Sequence, residues 1–144
     1  MFKVIIADDR PHARLGLRML LSASPEYRIV GEACNGTEVL ECCKRLLPDL
    51  LLTDLKMPGL SVIEGAERLK AKDANMKIII LTALDECEDI YKAAKAGVDG
   101  YFMKDTDPGQ LLSAIQCIMG GAKLYQTKEN IDHAQDRWNA HAGK

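Results

Sequence analysis

Short apolar bursts alternate along this chain with longer stretches in which apolar residues recur every three or four positions. The bursts, such as Val4-Ile5-Ile6-Ala7, Leu50-Leu51-Leu52 and Ile78-Ile79-Ile80-Leu81, predict β-strands, and we place five of them near residues 3–7, 28–33, 50–54, 77–82 and 99–103. Helical patterns lie between them. Leu15, Leu17, Leu20 and Leu21 line a first apolar face, Val39, Leu40, Leu46 and Leu47 a second, and Ile63, Ala66 and Leu69 a third. A fourth helix is predicted over about Glu86–Ala96. A fifth, over about 108–119, opens on Pro108, a residue suited to a helix's first turn. The turn formers Gly31, Asn35-Gly36, Pro48-Asp49, Pro58-Gly59, Gly97 and Gly120-Gly121 are expected at element ends. Five consecutive β-α units predict an α/β domain built on a parallel sheet.

The stretch from Gly120 to Lys144 follows a different pattern. Thr127 is a candidate cap for a last helix carrying Ile131, Ala134 and Trp138 at i, i+3 and i+7, but its amphipathicity is weak and a linker is the preferred reading. The expected organisation is one domain over residues 1–121 and a linker or C-terminal helix over 122–144, with no output domain in this chain. Composition agrees: 144 residues, 47% hydrophobic and 28% charged, suit one globular domain. No apolar run approaches the roughly 20 residues that cross a bilayer. Met1-Phe2-Lys3 leads straight into a strand pattern rather than a secretory signal, so a cytoplasmic protein is expected. Nineteen Lys plus Arg against 21 Asp plus Glu leave a net charge of −2, which offers no positive field to hold nucleic acid. The five cysteines (Cys34, Cys42, Cys43, Cys87 and Cys117) contain no C-x-x-C pair, and most are expected in the core of a reduced protein.

In an open α/β sheet, ligands bind outside the carboxyl ends of the strands. There the sequence is unusually polar: strand one ends in Asp8-Asp9, strand three in Asp54, strand four in Thr82, and strand five runs into Lys104. Three carboxylates in one partly dehydrated cleft repel one another. A hard divalent cation relieves that repulsion, and Mg²⁺ accepts one or two carboxylates while keeping positions for a phosphoryl group. Lys104 and the Thr82 hydroxyl offer a point charge and a donor to a phosphoryl oxygen. The assembly reads as a phosphoryl-transfer site in which a carboxylate is the acceptor.

The pattern resembles the receiver domain of two-component response regulators. The resemblance rests on the double Asp after strand one, Asp54-Leu55-Lys56-Met57-Pro58-Gly59, Thr82 before small Ala83, and Tyr101-Phe102-Met103-Lys104. It covers about residues 2–121. With Ala13-Arg14-Leu15-Gly16-Leu17-Arg18 and Gly100 to Asp105, these segments look most like the NarL/FixJ subfamily, whose members usually carry a LuxR-type helix-turn-helix. The fold implied is flavodoxin-like, a doubly wound five-stranded parallel sheet in the order 2-1-3-4-5 with five flanking helices. The resemblance makes Asp54 the phosphoacceptor, Asp9 a direct Mg²⁺ ligand, Asp8 a ligand mostly through water, and the Lys56 backbone carbonyl a further ligand. Lys104 would pair with a phosphoryl oxygen and Ala83 would leave the group room. Thr82 would swing onto the phosphoryl group and let Tyr101 rotate inward, as the switch. Lys56 and Leu84 would look out over the approach of hydrolytic water, and neither is suited to orient it.

The implied protein is not an enzyme beyond its own phosphorylation and dephosphorylation. Its expected partners are a sensor histidine kinase and, on activation, a second copy of the chain; DNA would be reached only through an output domain. A stand-alone receiver acting by protein contact is the alternative. Other classes fit worse. A flavodoxin-like electron carrier would set Asp8-Asp9 against an FMN phosphate, a dinucleotide enzyme would need G-x-G-x-x-G after strand one, and a haloacid-dehalogenase-type phosphatase would need D-x-D there.

Overall fold

The computed structural model describes residues 1–83 and 87–126. Leu84, the predicted helix start at Glu86 and the pattern from Thr127 to Trp138 lie outside them. Strands β1 (Phe2–Ala7), β2 (Tyr27–Ala33), β3 (Leu50–Asp54), β4 (Lys77–Thr82) and β5 (Gly100–Met103) alternate with helices α1 (Pro11–Ser22), α2 (Gly36–Leu46), α3 (Val62–Lys72), α4 (Cys87–Lys95) and α5 (Pro108–Met119), and a two-residue strand β6 (Leu124–Tyr125) follows. All pairings are parallel, in the order β2-β1-β3-β4-β5-β6. The first five strands stand in the expected doubly wound order.

Side chains of successive strand residues leave opposite faces, and the apolar bursts fill both. Ile5, Leu51, Ile78 and Ile80 join Val39, Leu40, Ala66 and Leu69 of α2 and α3 in one core layer. Val4, Ile6, Leu50, Leu52 and Ile79 join Leu21, Ile115 and Ile118 of α1 and α5 in the other. Burial on both faces is why these strands read as continuous apolar runs. Local signals set the helix starts. Asn35 accepts the Glu38 N–H at 2.8 Å, Ser61 caps α3, and Asp107 accepts the Gly109 and Gln110 N–H groups with Pro108 next to it.

Several expectations are corrected. Leu15 is 45% and Leu47 65% exposed, so neither belongs to a core face. Leu47 has the positive φ of 48° that ends α2, just ahead of Pro48. Gly31 lies inside β2, next to a bulge where the pairing shifts between Val4 and Ile5; a Cβ there would stand 2.8 Å from Leu46 Cδ1. Of the four cysteines described, only Cys43 is buried, while Cys34 and Cys117 are exposed. The sheet also gains a sixth strand. Leu124 N donates to Asp99 O at 3.0 Å, Gln126 N to Tyr101 O at 2.7 Å and Tyr125 OH to Val98 O at 2.6 Å, but two residues are too few to show a period.

Gly36 is fixed by close approach. Its N–H donates to Pro58 O at 3.0 Å, and a Cβ would sit 1.8 Å from the Leu60 carbonyl oxygen. Because that neighbour is backbone, Gly36→Ala should destabilise the fold by about 2–3 kcal/mol in urea unfolding. A change under about 0.5 kcal/mol would show that the β3–α3 loop yields freely.

Candidate phosphoacceptor site

The carboxyl ends of β1, β3, β4 and β5 meet at one edge of the sheet, because parallel pairing puts all strand ends of one sense together. There the Lys104 ammonium lies 2.6 Å from Asp8 Oδ2 and 3.4 Å from Asp54 Oδ2. Asp8 and Asp54 are almost wholly buried, at 1% and 7% exposure. Asp8 Oδ1 accepts the Arg10 N–H at 3.0 Å, and Asp54 Oδ1 accepts the Leu55 N–H at 2.8 Å. Asp9 is exposed, and no side chain among the described residues engages it. One ligand oxygen from each of Asp8, Asp9 and Asp54 lies within 4.8 Å of the others. Three hard oxygen donors, one open to solvent, suit a small divalent cation better than any soft metal.

Environment separates the two buried carboxyls. Burial pushes Asp8 up, but the Lys104 hydrogen bond, the Arg10 N–H and the charges of Lys104 and Arg10 outweigh it and hold the group below its ordinary value of 3.8. Burial also pushes Asp54 up; the charge of Asp8 adds to this, and Lys104 and the Leu55 N–H only partly offset it, so its carboxyl stays above 3.8. One lysine faces two buried carboxylates, and Asp8 takes the shorter contact.

Of the site residues singled out in the sequence, all but Leu84 lie among those described. Thr82 is buried at the end of β4 and its carbonyl accepts the Lys104 N–H at 2.8 Å. Ala83 is exposed beside it. Tyr101 is fully buried in the α2–α3 core layer. Lys56 is exposed, and its ammonium turns toward α4, 3.7 Å from Asp89 Oδ2. That carboxylate oxygen is buried and has no hydrogen bond. The roles of two contributors were not read from the sequence. Arg14 donates to the Asp8 carbonyl at 2.6 Å and to Glu32 at 3.1 Å, tying the β1–α1 turn to β2, and Asp89 links α4 to Lys56 of the β3–α3 loop.

The family described as the response regulator receiver domain matches residues 4–116. The chain belongs to that family. The nitrate/nitrite response regulator NarL of Escherichia coli is 37% identical over 118 residues, 82% of this chain and 55% of that protein. NarP of the same organism is 38% identical over 129 residues, 90% of this chain and 60% of its own length. The chain thus spans little more than half the length of these curated relatives. A LuxR-family two-component response regulator from Aurantimonas superposes with a TM-score of 0.83 at 30% identity, over 95% of this chain and 98% of that one. The receiver is of the NarL/LuxR type. None of the described helices is long and apolar enough to cross a membrane.

The carboxyl shifts carry a stability consequence. Asp8, held low, contributes stability that is present above pH 3.8 and lost as pH falls through its lowered value. Asp54, held high, does the opposite: its ionised form costs stability above its raised value, and that cost is gone below pH 3.8. Without divalent cation, Asp54→Asn should therefore raise Tm by a few degrees at pH 7, with the gain fading on acidification. Equal melting at pH 7, or a gain independent of pH, would contradict this.

Proposed function

We propose that this receiver is a phosphorylation-driven switch in which Asp54 accepts a phosphoryl group from a sensor histidine kinase in the presence of Mg²⁺. The observation that carries the reading is the Lys104 ammonium between Asp8 and Asp54, with Asp9 completing a three-carboxylate cluster. Asp8, Asp9, Asp54 and the Lys56 carbonyl would hold the cation, which when bound supplies positive charge that carboxylates and phosphoryl oxygens share. An Asp54 carboxylate oxygen forms a bond to phosphorus as the bond from phosphorus to the kinase's histidine nitrogen breaks, and the bonding pair leaves on that nitrogen. Lys104 then stands where a phosphoryl oxygen gains charge, and the Thr82 hydroxyl supplies a donor at the end of β4. The small side chain of Ala83 leaves space beside the group.

Signal output follows from differential contact. Thr82 binds the phosphoryl group only once it is there, which favours the packing with Tyr101 buried over any packing with Tyr101 turned out. The changed surface of α4 and β5 controls the output, which in a NarL/LuxR-type protein is transcription through a DNA-binding domain. The setting is the cytoplasm, and activation pairs two copies of the chain.

Intact-mass analysis after incubation with acetyl phosphate should show one added phosphoryl group with Mg²⁺ and none with chelator. Asp54→Asn should show none. An adduct surviving that substitution would move the acceptor elsewhere. Thr82→Ala should still be phosphorylated but should not pass the change on. Amide chemical shifts over residues 100–104 should then stay near the unphosphorylated values, and shifts matching those of phosphorylated wild type would remove Thr82 from the switch.

A further inference from the structure

A groove of about 620 Å³ runs between α1 and α5 and opens onto the site, within the range of small-molecule pockets, about 300–1,000 Å³. Asp8, Asp54 and Lys104 form one end. From there, α1 and its cap Ala23 line it from Ala13 on, over about 15 Å, and Leu111 and Leu112 of α5 form the facing wall. Gly16 sits midway along α1. It is a poor residue for a helix interior, and no packing demands it, because a Cβ there would meet nothing within 4 Å. The groove is therefore open, apolar along its length and charged where it reaches Asp54.

We propose that this groove binds the apolar chain of an acyl phosphate, so that donors with a longer acyl chain react with Asp54 at lower concentration than acetyl phosphate does. The inference rests on Asp54 being the phosphoacceptor and names a class of donor for it. The two ends of the groove select the ligand. A neutral apolar molecule offers nothing to Lys104, and a free carboxylate brings no phosphoryl group to Asp54. An acyl phosphate satisfies both, with its anionic head at the site and its chain along Leu17, Leu20 and Leu112. In the transfer, an Asp54 oxygen forms a bond to phosphorus as the bond from phosphorus to the acyl oxygen breaks. The bonding pair leaves on that oxygen as a carboxylate, and no proton is exchanged.

The test uses the full chain with Mg²⁺ and acetyl, butyryl and hexanoyl phosphates, followed by intact mass. The concentration giving half-maximal rate should fall about tenfold from acetyl to butyryl, the equivalent of burying two methylenes at about 0.8 kcal/mol each. Gly16→Leu adds a side chain into open space and improves helix propensity, so it should fold, keep its reaction with acetyl phosphate and lose the gain with chain length. Hexylphosphonate, which cannot transfer its phosphorus, should shift the Gly16 and Leu112 amides of wild type in NMR spectra. A wild type indifferent to chain length, or a Gly16→Leu variant that keeps the gain, would overturn the proposal. If acetyl phosphate itself fails to label Asp54, the phosphoacceptor reading falls instead, and the hexylphosphonate shifts alone decide whether the groove holds an apolar chain.

Discussion

One ammonium group shared by two buried carboxylates governs this molecule. Lys104 reaches Asp8 at 2.6 Å and Asp54 at 3.4 Å, and neither carboxylate has enough water around it to be stable alone. Truncating the lysine would strand two like charges in a dry pocket, so the β5–α5 turn that presents it is tied to β1 and β3 through electrostatics as well as sheet pairing. The division is unequal. Asp8 has the shorter ammonium contact and is held low, whereas Asp54 is held high. This asymmetry leaves Asp54 with the electrostatic need that an incoming cation or phosphoryl group can meet.

The sheet delivers these groups to one edge and also carries a connection away from it. Tyr101 lies three residues before Lys104 on β5, with its side chain in the core and its carbonyl accepting the Gln126 N–H at 2.7 Å. The Thr106 hydroxyl, two residues past Lys104, lies 2.9 Å from Gln126 Oε1. The segment after α5 is thus bonded on one side to the strand that carries Tyr101 and on the other to the turn that follows the lysine. A buried ion pair, Lys70–Asp99 at 2.6 Å, anchors the start of that same region, where Asp99 also accepts the Ile78 N–H. Only short connections therefore separate the site from the last described residues.

The fold was legible in the sequence because its strands are buried on both sides, and such strands announce themselves as apolar runs between helical periods. The four strand ends were legible for a related reason: each polar residue follows a burst directly or, for Asp54, one residue on, so its position at the sheet edge follows from the run itself. What could not be read depends on contacts between distant segments. Leu15 and Leu47 fit a helical period, yet one stays exposed among the described residues and a left-handed turn ends the helix at the other. Gly31 looks like punctuation until Leu46 is seen against it. Arg14 and Asp89 are ordinary surface residues in the sequence, and they matter only because the fold brings the Asp8 carbonyl and Lys56 to them. The sixth strand needs β5 beside it to exist.

A site of this kind is a local deficit in stability, and the surrounding core is what allows it. Burying a carboxylate against another carboxylate costs free energy that is large compared with the margin by which a domain of this size is folded. The strands that lead to Asp8, Asp54 and Thr82 are each fully buried for several residues before the polar group, and apolar there apart from Thr53, so the edge can hold like charges without loosening the sheet. The same rigidity keeps the carboxylates from relaxing apart, and their repulsion persists as free energy available to whatever neutralises it. A cation held by the Asp8, Asp9 and Asp54 cluster would relieve part of it. Positive charge brought to this edge would therefore draw on free energy that was stored when the chain folded.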